Sequence, residues 1–221
     1  MTDYSAARKN MVECQLHPCG ISDIRVLEAF NTVPRESFVF ESQRSIAYMD
    51  KDLPLGHERY LLSPMVHARM IHALSIKSDD IVLDIGGAMG YSAAVLSKLA
   101  TTVVSVENQS DFLEFAKKTL LEMDLLNILH VDHDLQLGDA KHGPYDSILV
   151  NGAAEYIPDD LIAQLNIGGR LCYIETNLSA VDCGKVVLLT KRADGECDRK
   201  VLFETSGHLL SGFNKDTAFK F

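Results

Sequence analysis

An acidic residue, a run of small residues and an aromatic follow one another at Asp84-Ile85-Gly86-Gly87-Ala88-Met89-Gly90-Tyr91, where a β-branched run gives way to a helical stretch. Glycines in such a turn let the backbone come close to a ligand. A dinucleotide fingerprint reads G-x-G-x-x-G, but counted from Gly86 its positions fall on Gly86, Ala88 and Tyr91. A tyrosine is too bulky for the third position, which argues against a nicotinamide cofactor. The spacing Gly86-x-x-x-Gly90, with an acid before it and an aromatic after it, suits a nucleoside ligand with no phosphate to cradle. S-adenosyl-L-methionine is such a ligand. Glu107 stands twenty-one residues beyond Gly86 at the end of the next predicted strand, where a carboxylate can accept both ribose hydroxyls. Asp134 ends the strand after that, placed to accept from an adenine amino group. Each feature alone is common; their order along the chain describes a nucleoside pocket.

Such residues need strand tips to carry them. Short apolar runs predict strands at 81–85, 103–107, 128–133, 147–151, 170–175, 186–190 and 201–205, with helices beginning near Tyr91, Ser110 and Asp159 and a polar link from Asp134 to Tyr145. Near-continuous apolar strands separated by helices mean a parallel sheet covered on both faces. Right-handed crossovers then give a doubly wound, mostly parallel, seven-stranded α/β sheet of Rossmann-like type. Ligands of such sheets bind outside the carboxyl ends of the strands, where the strand order reverses. Upstream, helices are expected over 6–15, over a segment capped by Ser22 and stopped by Pro34, and after Pro64, with residues 50–64 as a loop. The chain therefore divides into a helical N-terminal extension with a substrate-side loop (1–79), an α/β core (80–206) and a tail (207–221), all in one domain. The tail's Leu209, Leu210, Phe213, Phe219 and Phe221 are available to pack over the substrate side.

The 221 residues are 47% apolar and 24% charged, an ordinary globular composition. A formal charge of −10 and no basic cluster disfavour nucleic-acid backbone binding. The first fifteen residues lack the apolar core of a signal peptide, and no apolar run reaches the ~20 residues that span a bilayer; a cytoplasmic protein without a membrane partner is expected. Five cysteines, an odd number thinly spread, read as reduced thiols. Cys14, His17 and Cys19 offer only three ligands at one place, too few for a structural zinc site. The sequence carries no signal for an oligomeric state.

Read whole, the chain resembles the protein-L-isoaspartate O-methyltransferase family, class I methyltransferases with a Rossmann-like core. The resemblance rests on Met11-Val12-Glu13 with Gln15-Leu16, Val26-Leu27-Glu28-Ala29, Val33-Pro34-Arg35, Phe38-Val39, Ala47-Tyr48 and Leu53-Pro54-Leu55-Gly56. It continues through Val82-Leu83-Asp84-Ile85-Gly86, Gly90-Tyr91, Val106-Glu107, Pro144-Tyr145-Asp146 and Gly168-Gly169-Arg170-Leu171. It implies S-adenosyl-L-methionine as cofactor, isoaspartyl residues of damaged proteins as acceptors, no metal at Asp132-His133-Asp134 with Asp139 and His142, and cofactor contacts from Asp84, Gly86, Gly90, Glu107, Asp134 and His67. The family's signature loop reads Thr-Ile-Ser-Gln/Ala-Pro, its Ser being taken as catalytic. Here Tyr60-Leu61-Leu62-Ser63-Pro64 places Leu62 at that position, without the hydroxyl, and Ser63 one residue later as a substitute. Ala88 replaces the family's middle glycine and Leu135 the glycine after the third strand's acid, and Ile174-Glu175-Thr176-Asn177 replaces its Pro-Val-Gly turn. The alternative readings are a paralogue that keeps the cofactor for another acceptor, or a non-catalytic sensor or scaffold.

Overall fold

A computed structural model describes residues 3–177 and 184–215. Cys183, Phe219 and Phe221 lie outside the described residues. Along the chain run α1 (Tyr4–Met11), α2 (Ile24–Thr32), β1 (Leu53–Gly56), β2 (Arg59–Leu61), α3 (Pro64–Leu74), β3 (Ile81–Ile85), α4 (Tyr91–Leu96), β4 (Thr102–Glu107), α5 (Ser110–Glu122), β5 (Ile128–Asp132), β6 (Tyr145–Ala154), α6 (Asp159–Ala163), β7 (Leu165–Glu175), β8 (Gly184–Lys191) and β9 (Cys197–Thr205).

The seven strands β3 to β9 form one sheet in the order β5-β4-β3-β6-β7-β8-β9. Pairs among β3 to β7 are parallel, and β8 and β9 join antiparallel. The chain leaves β3 for β4 on one side and returns to β6 on the other, so the reversal of strand order lies at β3. Alternation along the strands feeds two apolar layers. Val82, Val103 and Leu149 face the layer built with the N-terminal extension, while Leu83, Ile85, Val104, Val106, Ile148 and Val150 face the opposite one. This is why the central strands read as unbroken apolar runs.

The expected seven strands are all present: β3 has the predicted bounds, β5 ends one residue early at Asp132, and the other five are wider. β6 and β7 begin earlier than predicted because Tyr145 pairs with Leu165 ahead of a register shift, and Gly168, at φ +79°, is a kink inside β7 rather than a turn before it. β9 starts at Cys197 through exposed Asp198, Arg199 and Lys200, which carry no apolar signal.

The N-terminal half departs in three places. The cap of α2 is Asp23, whose Oδ1 accepts from Arg25 N at 2.9 Å; Ser22 Oγ instead lies 3.3 Å from His72 Nε2. The helix predicted over 6–15 stops being α-helical at Met11, widens into a π turn at Val12–Leu16 and tightens into a 3₁₀ turn at His17–Cys19 that ends on Gly20 at φ +84°. Residues 53–61, expected as loop, form an antiparallel hairpin in which Leu53, Leu55 and Leu61 point inward. Its turn, His57-Glu58, has both residues at positive φ. Such turns usually show glycine or asparagine, so their signature was absent.

Candidate functional site

The tips of β3, β4 and β5 lie side by side. β3 delivers Asp84 through the parallel register Asp84↔Ser105, and β4 delivers Glu107 opposite Asp132 of β5. Between them the chain turns through Gly86 at φ +69°, Ala88 at φ +48° and Gly90 at φ +95°, the last being the N-cap of α4.

Asp84 is fully buried and accepts from Ser92 Oγ and Asn151 Nδ2, each at 2.7 Å. Burial pushes its carboxyl up to about 6, against the pull of those two donors and with the help of the Glu107 charge. Glu107, 2% exposed, is surrounded by donors. Ala88 N donates to its Oε2 at 3.0 Å. Asn108 N, Gln109 N and Arg59 Nη2 donate to its Oε1 at 3.0, 3.2 and 3.1 Å. Arg59 comes from β2 and is as buried as its partner. Asp134 is exposed and caps the 3₁₀ turn Leu135–Leu137, with the Leu135 side chain buried beneath it.

The glycine floor of the turn has a neighbour. A methyl group on Gly86 would sit 2.8 Å from Leu210 Cδ2 and 3.4 Å from Leu135 Cδ1, and one on Gly152 would sit 2.6 Å from Leu210 Cδ1. Leu210 belongs to a segment that continues from β9 and runs along the end of β6. Ala153 N donates to His208 O and Leu210 N to Ala153 O, both at 2.8 Å, and Glu155 N donates to Phe213 O at 2.9 Å. Leu209, Leu210 and Phe213 thus lie against the strand tips; Leu210 and Phe213 are buried. His208 stacks on Tyr60 at 3.4 Å with 6° between the rings, and its Nε2 is 3.7 Å from Asp52 Oδ2. A cavity of 540 Å³ opens beside this segment, lined by Glu58, Tyr60, Asn177, His208 and Leu210 among others.

Leu62 and Ser63 bridge β2 and α3. Leu62 is buried and its carbonyl accepts from Arg35 Nη2 at 2.7 Å. Ser63 N donates to Asp52 Oδ1 at 2.7 Å and Met65 N to Asp50 Oδ1 at 2.9 Å, so two aspartates occupy the N-terminus of α3. Burial raises the Asp52 carboxyl, opposed by the Ser63 amide and His208.

The structure gathers Asp84, Gly86, Gly90 and Glu107 around one turn, with Asp134 on the adjacent strand tip. His67 is set back from them, with Asn151, the donor to Asp84, as its polar neighbour. It is 1% exposed, edge-on to Phe30 at 5.9 Å and tilted on Tyr91 at 5.7 Å. Burial, with the nearby Arg35 charge, lowers its pKa to about 3 against the opposing pull of Asn151, so the ring is neutral. Sequence reasoning missed Arg59 and Asp52, while it marked Asn151 only as a strand end and Leu210 only as part of a tail available to pack over the substrate side. A lone arginine in an unpatterned stretch gives no warning, and Asn151, inside β6 rather than at its end, reaches Asp84 through a side-chain contact that spans 67 residues.

Comparisons with known proteins agree with one another. The profile of the family described as protein-L-isoaspartate(D-aspartate) O-methyltransferase matches residues 7–206. A protein-L-isoaspartate O-methyltransferase of Methanoculleus marisnigri is 40% identical over 185 residues, 84% of this chain and 83% of that one. Another, from Xanthomonas axonopodis pv. citri, is 38% identical over 206 residues, 93% of this chain and 89% of that one. Among solved structures, a protein-L-isoaspartate O-methyltransferase superposes with a TM-score of 0.82 at 28% identity; the superposition covers 93% of this chain, which spans 66% of that protein's length. A Plasmodium falciparum protein described as a putative member, in complex with S-adenosyl-L-homocysteine, has the same fold, with a TM-score of 0.77 at 19% identity over 95% of this chain and 99% of that one.

Proposed function

The chain belongs to the protein-L-isoaspartate(D-aspartate) O-methyltransferase family, and from that premise we propose that it uses S-adenosyl-L-methionine to methylate the carboxylate of isoaspartyl residues in damaged proteins. The observation that carries the reading is the glycine turn at the reversal of strand order with Asp84 before it and Glu107 on the neighbouring tip. The residues present fit such a cofactor. Gly86 and Gly152 form a floor with no side chains of their own, where a Cβ would collide with whatever lies over it. Asp84 and Glu107 would hold the group, Glu107 at the ribose hydroxyls, and Asp134 would accept from the adenine amino group.

The cofactor supplies a methyl group on a sulfonium, which an acceptor oxygen attacks in line. An isoaspartyl carboxylate, with a pKa near ~4 in model peptides, is already ionised at neutral pH. The protein therefore needs no strong base, and its task is alignment, which is worth about 7–11 kcal/mol in well-oriented systems. Arg35 and Asp52 contribute by pinning the backbone on either side of Leu62-Ser63. Leu62 offers no hydroxyl to orient an acceptor. Losing one such hydrogen bond costs about 1–3 kcal/mol, a slowing of roughly tenfold to over a hundredfold. Incubation with labelled S-adenosyl-L-methionine and an isoaspartyl peptide tests the proposal. Slow formation of a methyl ester is expected, and no ester above background would refute it.

The burial of Leu62 favours a second reading, in which the same cofactor serves a different acceptor. Transfer of the labelled methyl to a member of a panel of carboxylate, hydroxyl and amine acceptors, as ester, ether or N-methyl product, with the isoaspartyl peptide left untouched, would move the assignment there.

A further inference from the structure

The cleft that the proposed function assigns to the cofactor is held by the protein's own side chains. Glu107 receives Arg59 Nη2 at 3.1 Å where the ribose hydroxyls of a nucleoside would donate. Leu210 lies over the glycine floor, against both Gly86 and Gly152. Neither contact is casual. Arg59 and Glu107 are each 2% exposed, and Arg59 also donates to Asn108 Oδ1 at 2.8 Å. Leu210 is fixed from behind by its amide on Ala153 O and by buried Phe213. The stack of His208 on Tyr60 and the approach of His208 to Asp52 fasten the segment to the hairpin that carries Arg59. Hairpin and C-terminal segment therefore meet over the turn as one cover. The contacts of the cover match the ligand's own kind, a donor for the carboxylate and apolar surface for the glycines.

We propose that Arg59 and Leu210 are affinity-determining residues of the cofactor site: they occupy the ribose carboxylate and the glycine floor, and the cofactor enters by displacing them together with the 207–213 segment. The inference rests on the reading of this cleft as the cofactor's. Binding then measures a competition between ligand and chain, and weakening the chain's side of it tightens the ligand.

The test is a calorimetric titration of S-adenosyl-L-homocysteine into the unaltered protein, Arg59→Gln and Leu210→Ala, with amide hydrogen exchange at Leu210 followed in parallel. Arg59→Gln leaves Glu107 its three backbone donors, and Leu210→Ala leaves the backbone of the segment bonded to β6, so both variants retain the fold. Each variant is expected to bind about tenfold or more tightly than the unaltered protein, the equivalent of one hydrogen bond or one buried side chain of competition. Ligand should also speed exchange at the Leu210 amide in the unaltered protein. A gain in fewer than both variants, exchange at Leu210 that is unchanged or slowed by ligand, or no binding by any of the three proteins overturns the proposal. Tighter binding in both variants without methyl ester formation would keep this inference and refute the function. Ester formation by the unaltered protein with no gain in the variants would do the reverse.

Discussion

At the scale of single residues, the functional contrast lies between two positions. Leu62, which the resemblance to the family's signature loop sets at the serine position, lies on a backbone that Arg35 and Asp52 hold. Restoring the hydroxyl with Leu62→Ser is expected to raise isoaspartyl turnover about tenfold or more, chiefly in kcat, because an orienting bond acts when the acceptor attacks; unchanged kcat would show that the loop no longer faces the acceptor. Asp84 carries the pH dependence. Its pKa of about 6 in the folded chain is above the ordinary value of ~3.9. The folded state therefore keeps a proton that the unfolded chain releases, so Asp84's own contribution to stability declines as pH rises from about 4 to 6, while His67, neutral in the folded chain down to about pH 3, contributes an opposing rise up to its ordinary value of ~6.5. Ligand binding runs the other way. A cationic sulfonium ligand needs the carboxylate ionised, and at pH 5 only about a tenth of it is. Affinity for S-adenosyl-L-methionine is expected to fall about tenfold between pH 7 and pH 5, and Asp84→Asn to remove that slope. A slope surviving in the variant would place the titrating group elsewhere.

At the scale of elements, the turn after β3 is strained at a point the sequence announces. Ala88 sits at φ +48°, a conformation that costs a residue with a Cβ about 1–2 kcal/mol. Ala88→Gly is expected to raise the melting temperature by about 2–4 °C, the equivalent of ~1 kcal/mol in a chain of this size; a decrease would mean that the Ala88 methyl packs better than its strain costs. The same turn shows what could be read in advance. The succession of strands along the chain and the places of Asp84, Gly86, Gly90 and Glu107 relative to them were legible because burial on both faces of a parallel sheet writes continuous apolar runs, and the acids stand at the ends of those runs. The hairpin at 53–61 was not, since its turn uses His57 and Glu58 at positive φ and its strands have three or four residues. Nor was the partner of Glu107, because the pairing with Arg59 spans 48 residues and depends on where the hairpin folds back. His67, expected at the cofactor, is buried, with its ring packed on Phe30 and Tyr91 and its polar side toward Asn151. Spacing along a helix gives a residue's face but not what covers that face.

At the scale of the whole molecule, Tyr91 joins the N-terminal extension to the sheet. Fully buried, it meets Phe30 at 6.0 Å, Phe38 at 5.6 Å and His67 at 5.7 Å, with the Arg35 guanidinium 5.0 Å from its centroid. The extension and the face of the sheet that receives α4 therefore share one apolar layer. Calorimetry is expected to show a single transition, as for one cooperative unit, and Tyr91→Ala to lower the stability of the whole by about 3–5 kcal/mol; two separate transitions would show that the extension melts alone. Among the described residues no helix is long and apolar enough to cross a membrane.

That shared layer has a consequence for how variation in this protein is scored. In a screen that counts only product, replacements at Phe30, Phe38 or Tyr91 would fall in the same class as a loss at Glu107, although none of the three stands among the groups that would receive the cofactor. Counting folded protein per cell beside product would separate them. Aromatic replacements would deplete both signals, while a loss at Glu107 confined to ligand binding would deplete product alone.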